Sequence, residues 1–169
     1  GLIRATPFLI AARLGEAAVM RLLLARGADP LIPNSQGTTP LMMAAGADEK
    51  ERDVSNLNPI PESTALEAVK ICLELGADVN AANRPGDTAL HAAAWRGVKG
   101  ANSIIEFLLE KGANINARNA RGHTALFIAE GIKTVSLDTF SPSTVALLRK
   151  WNAEPSPESL NADRAPGTG

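Results

Sequence analysis

Aromatic residues are scarce in this chain of 169 residues: they make up 4% of it, and Tyr is absent. A packed interior must therefore be built from Ala, Leu, Ile and Val. There is one cysteine, Cys72, which excludes an internal disulfide. Neither sign of charge dominates, since 17 Lys+Arg against 18 Asp+Glu leave a formal −1. That balance excludes a polybasic nucleic-acid or membrane-surface binder. Long apolar runs are missing as well. The charge-free stretch 30–47 is broken by Pro33, Asn34, Gly37 and Pro40, so no transmembrane segment is expected, and no signal peptide is legible at Gly1. Catalytic signatures are absent too: there is no Gly-x-Ser-x-Gly elbow, phosphate-cradling Gly-Lys-Ser/Thr loop, Rossmann glycine triplet, His-Glu-x-x-His helix or Cys-x-x-Cys pair. What is abundant is apolar residues, at 45%, enough for a core that buries roughly 70% of the surface an unfolded chain exposes.

That apolar content is arranged in repeats. Four segments align: Thr6-Pro-Phe-Leu-Ile-Ala-Ala, Thr39-Pro-Leu-Met-Met-Ala-Ala, Thr88-Ala-Leu-His-Ala-Ala-Ala and Thr124-Ala-Leu-Phe-Ile-Ala-Glu, at intervals of 33, 49 and 36 residues. Three later segments align behind them: Leu23-Leu-Ala-Arg-Gly-Ala-Asp, Cys72-Leu-Glu-Leu-Gly-Ala-Asp and Leu108-Leu-Glu-Lys-Gly-Ala-Asn. A 33-residue unit with insertions of 16 and 3 residues accounts for all the intervals. This pattern resembles the ankyrin repeat, over about residues 6–154, and its phrasing between Gly37 and Gly97 is similar to bacterial ankyrin proteins. The resemblance implies an all-α solenoid of helix-turn-helix units with hairpin-like finger turns. The units are expected at about 1–33, 34–82, 83–118 and 119–154, with a disordered tail over 155–169.

Elementary rules support the same elements. Thr6 and Thr39 are placed to cap a first helical turn, with Pro7 and Pro40 at the first helical position. Ala-rich inner helices allow close approach. The bulk sits in outer helices, at Val19, Leu22, Leu23 and Leu24 in the first unit and Ile104, Ile105, Leu108 and Leu109 in the third. Gly27, Gly76 and Gly112 are predicted to end those helices in the left-handed conformation, with Trp151 in that place in the fourth unit. Asn34-Ser-Gln-Gly, Asn83-Arg-Pro-Gly and Asn119-Ala-Arg-Gly read as the finger turns.

Two departures stand out. The second unit carries the large insertion, near 47–63, which is either a tolerated surface excursion or a lip that touches a partner. A new helix is expected to start at Thr64, with Glu67 completing a capping box. The first unit lacks a polar outer face, which predicts further repeats before Gly1 in a longer parent protein.

Chemistry has few candidates. His91 stands where the resemblance places a structural, hydrogen-bonding histidine; His123 lies at a finger base. Two histidines and a Cys72 aligned with a core Leu make no zinc site, and an apolar setting keeps that thiol from ionising. No catalytic residue, metal ligand or cofactor is expected. The resemblance instead implies a non-catalytic scaffold that binds a partner protein on finger tips and a concave inner-helix face. The residues so placed are Ser35, Gln36 and Thr38; Arg84, Pro85 and Asp87; Ala120, Arg121 and His123; and, at inner-helix ends, Arg13 with Leu14 and Trp95 with Arg96. Trp and Arg are types enriched in binding hot spots, so an exposed Trp95–Arg96 pair is the sharpest candidate; the competing reading has Trp95 packing beneath the insertion. A second function remains open, that of a regulatory or targeting module of a larger enzyme whose catalytic domain lies elsewhere. No compartment is legible.

Overall fold

The computed structural model describes residues 4–47, 60–97, 101–131 and 141–154. Most of the 47–63 insertion, the stretch 132–140 and the 155–169 tail lie outside the described residues, as do the expectations placed on them. The described chain forms α1 (Pro7–Leu14), α2 (Ala17–Ala25), α3 (Pro40–Ala45), α4 (Glu62–Glu74), α5 (Ala89–Arg96), α6 (Asn102–Glu110), α7 (Ala125–Ala129) and α8 (Pro142–Lys150), with no strand among them. They pair as α1/α2, α3/α4, α5/α6 and α7/α8. The first member of each pair packs on the next first member, and the second on the next second, giving an inner and an outer layer. This is the all-α solenoid the repeats imply.

The inner helices start as their sequences dictate. Thr6 Oγ1 accepts from Leu9 N at 3.1 Å, Thr39 Oγ1 from Met42 N at 3.2 Å and Thr124 Oγ1 from Phe127 N at 3.2 Å. Each of these bonds satisfies one of the donors a helix start leaves free. The core runs unbroken along the stack, from Phe8 and Met20 through Leu41, Leu90, Ile104 and Leu108 to Leu126 and Leu148.

Three expectations need correction. The fourth helix begins at Glu62, behind Pro61, and not at Thr64. Proline is pre-set for the position flanking a helix start, and Glu67 is used elsewhere, in an ion pair with Arg21 at 2.8 Å. At the end of α8, Trp151 is the cap residue, and Asn152 takes the left-handed place of the glycines, at φ +62°. Asn is the side-chain-bearing residue most at ease there. Third, the bulk of α2 is not all core. Met20 is the buried residue of that helix, whereas Val19 and Leu22 are 42% and 56% exposed. Ala68 and Ile104, the counterparts of Val19, are fully buried because each faces a preceding helix pair, and no described pair lies on that side of α1/α2.

Candidate recognition surface

Each finger is built around one asparagine. Asn34 N donates to Thr38 O at 3.0 Å and Gly37 N to Asn34 O at 3.0 Å, closing the turn. The Asn34 side chain then accepts from Gln36 N and Thr38 N, both at 2.9 Å. Asn83 and Asn119 close their turns with the same two backbone bonds. Asn83 Oδ1 accepts from Asp87 N at 2.8 Å, and Asn119 Oδ1 from Arg121 N and His123 N at 3.0 Å. A side-chain oxygen bonded this way braces the turn in addition to its backbone bonds.

The fingers are also tied to one another. Arg84 N donates to Gln36 O at 2.9 Å, and Ala120 N to Pro85 O at 2.8 Å. Asn119 Nδ2 donates to Asp87 Oδ1 at 2.7 Å. The approach is close enough that a Cβ on Gly86 (φ +80°) would lie 2.8 Å from Ala120 N. Only glycine fits that position without displacing a backbone.

Beneath the fingers, His91 braces the third unit against the fourth. Its Nδ1 accepts from Thr88 N at 3.2 Å and lies 2.9 Å from Thr88 Oγ1; its Nε2 lies 3.0 Å from His123 O. With Nδ1 accepting, Nε2 carries the proton and donates to that carbonyl. The side chain is 1% exposed, and burial lowers its pKa from the ordinary 6.5, keeping it neutral. The ring of His123 in turn rests 4.4 Å from that of Phe127.

The residues singled out in the sequence divide accordingly. Gln36, Arg84, Pro85, Ala120 and Arg121 are exposed along the finger row; Ser35, Asp87 and His123 are half-buried. Thr38, expected on the finger, is 6% exposed, because its amide and carbonyl are both consumed by Asn34. Leu14 is exposed and Arg13 half-buried at the end of α1.

The Trp95–Arg96 pair is not jointly exposed. Arg96 is 2% exposed, and its guanidinium donates to the carbonyl of Ile60, just ahead of α4. A buried guanidinium must be bonded in this way to offset its lost hydration. Trp95 is half-buried. It lines a small crook between fingers and inner helices with Met42, Ala47, Asn83, Asp87, Thr88 and Ala92. Ala47 belongs to the start of the insertion, so the crook adjoins it.

Other contributors went unread in the sequence. Arg118, whose Nη1 donates to Gly122 O at 3.1 Å, adds a cation at the foot of the last finger. Asn80 bridges the second unit to the third through Gly112 O at 3.0 Å and Asn114 N at 2.7 Å, and Asn116 bridges the third to the fourth by accepting from Glu154 N at 2.9 Å. The signal for that ladder was present, as an Asn four residues after Gly76 and again after Gly112.

The candidates for covalent or metal chemistry do not meet. Cys72 is buried, its pKa pushed up to about 12 by desolvation, so at neutral pH it stays a thiol. Among the described residues no three His, Cys, Asp or Glu side chains gather as metal ligands, and no helix is long and apolar enough to cross a membrane.

The geometry of paired helices and bonded fingers agrees with what family comparison finds. A model of three consecutive ankyrin repeats matches residues 62–137, and a single-repeat model matches residues 4–35 and 36–84. No curated protein matches the chain. Ankyrin repeats are in general protein–protein interaction modules, typically without catalysis. With repeat models covering both halves of the stack and the fingers bonded as described, the chain belongs to the ankyrin-repeat family.

Proposed function

We propose that this chain is a non-catalytic scaffold that holds a partner protein along the finger row and the adjoining inner-helix face. The observation that carries the reading is the bonding of the row itself. Three fingers, each closed by its own Asn, are joined by backbone bonds at 2.9 and 2.8 Å, yet their tips at Gln36, Arg84, Pro85, Ala120 and Arg121 stay exposed. Such a surface loses little conformational entropy when it binds, so a moderate contact area suffices for affinity. Trp95 is the proposed anchor, half-buried beside the fingers in an otherwise aromatic-poor molecule.

The test is site-specific photo-crosslinking in cells that express the chain. A photoreactive residue at Gln36 or Arg121 should capture one protein that the same residue at Glu74, on the outer layer, does not. Capture from Glu74 alone refutes the assignment. Trp95→Ala should then weaken the captured complex more than tenfold while shifting Tm by only a few degrees. A large fall in Tm with unchanged affinity would make Trp95 a packing residue.

A further inference from the structure

Charge is distributed unevenly over the helices. The inner helices α1, α3, α5 and α7 contain no carboxylate; their only charged residues are Arg13 and Arg96. In the middle of the outer layer α4 and α6 are the reverse, with five glutamates against Lys70 alone, whereas α2 and α8 carry only cations, of which Arg21 and Arg149 are paired with Glu67 and Glu130. The fingers follow the inner layer. Arg84, Arg118 and Arg121 are exposed there, opposed by Asp87, whose half-buried carboxylate already accepts from Asn119 at 2.7 Å. No described carboxylate pairs with Arg84 or Arg121.

Resting on the reading that the fingers are the docking face, we infer that the partner contributes an acidic polypeptide segment, whose carboxylates lie on Arg84 and Arg121. A guanidinium presents parallel N–H donors that match a carboxylate bidentately, and every cation of the row is Arg. The glutamates of α4 and α6 repel such a segment from the middle of the outer layer, while Arg84 and Arg121 attract it to the fingers. A nucleic acid fits less well. Three cations neutralise far fewer phosphates than the roughly 6–10 of a typical site, and the row exposes no aromatic platform on which bases could stack.

The test uses the full chain, uniformly 15N-labelled, and four probes: a dodecapeptide alternating Glu and Ala, its Gln and Lys counterparts, and a twelve-nucleotide oligouridylate. The Glu peptide should bind more tightly than the other three and move the amides of residues 35–37, 84–87 and 120–123. The double variant Arg84→Gln/Arg121→Gln should weaken it roughly threefold to thirtyfold, the sum expected for two exposed charge pairs. The double variant Lys70→Gln/Lys111→Gln, on the outer layer, should not. Equal binding of the Gln peptide at the same finger amides overturns the acidic partner while leaving the finger surface standing. Shifts confined to α4 and α6 overturn both. Stronger binding of the RNA, no binding by the Glu peptide, or indifference to the Arg84/Arg121 variant each overturns the inference.

Discussion

His91 shows how one side chain can do a job its counterparts leave to hydrocarbon. Leu9, Met42 and Phe127 occupy its position in the other units, and only His91 reaches across to a neighbouring finger. Its pKa is lowered on folding, so the imidazolium is disfavoured in the native state. The contribution is complete above the unfolded value near 6.5 and is lost as pH falls toward the lower native value. Tm should therefore drop between pH 7.5 and pH 5. His91→Met should flatten that dependence while costing about 1–2 kcal/mol at pH 7.5, because buried Thr88 N loses its acceptor and the carbonyl of His123 keeps only Asn119 N of its two donors. Equal pH slopes for the two proteins would contradict the assignment. Glycines give a second residue-scale test. Gly122 (φ +78°) has nothing within 4 Å of where a Cβ would stand, so Gly122→Ala bears the cost of the left-handed backbone alone, about 1 kcal/mol. Gly86→Ala adds overlap with the next finger's backbone and should cost at least about 2 kcal/mol. Urea denaturation of both variants checks the ordering.

The end and the middle of the outer layer show that helical periodicity and burial are separate matters. Ile104, Ile105 and Leu108 of α6 are fully buried between neighbouring helices, whereas Leu22 of α2 is 56% exposed although its spacing is as apolar. Leu108→Ala should cost about 2–5 kcal/mol, as loss of transfer energy plus a cavity. Leu22→Ala should cost less than about 1 kcal/mol. Comparable losses by thermal denaturation would mean that α2 is covered by something the described helices do not include. Helix starts behave the same way. Thr6, Thr39 and Thr124 cap as their position requires, but α4 starts two residues earlier than Thr64 because Pro61 and Glu62 can already open it.

Across the whole molecule, stability follows from stacking. Among the described residues, the pairs α3/α4 and α5/α6 have helices packed on both sides, and α1/α2 and α7/α8 on one side. In a quasi-one-dimensional array, the inner pairs collect two interface terms and the outer pairs one. Amide exchange should therefore be slowest in α3 and α5 and fastest in α8 and α2; protection that peaks in a terminal pair would contradict this. The polar ties are also uneven. Asn80 and Asn116 stitch successive turns, while Leu31 stands at the equivalent place after α2 and is exposed. At the first junction the described residues offer apolar packing and the Arg21–Glu67 pair, which is exposed and worth little.

The periodic Thr, Ala and Gly positions determined by themselves that the chain folds as stacked helix pairs, and the turn sequences Asn-x-x-Gly determined where its fingers lie. These are local effects: a capping hydroxyl, a left-handed glycine or an Asx-closed turn acts within a few residues of itself. Accessibility was decided only by the tertiary structure. Arg96 and Thr38 look like surface residues in the sequence and are buried; Val19 and Leu22 look like core and are exposed. Which of these holds depends on a neighbour dozens of residues away, such as Ile60 for Arg96 or a preceding helix pair for Ala68, and no local pattern encodes that distance. The same holds for the row of fingers, whose binding surface exists because the backbone at Gln36 meets that at Arg84, and Pro85 meets Ala120, only once the units are stacked.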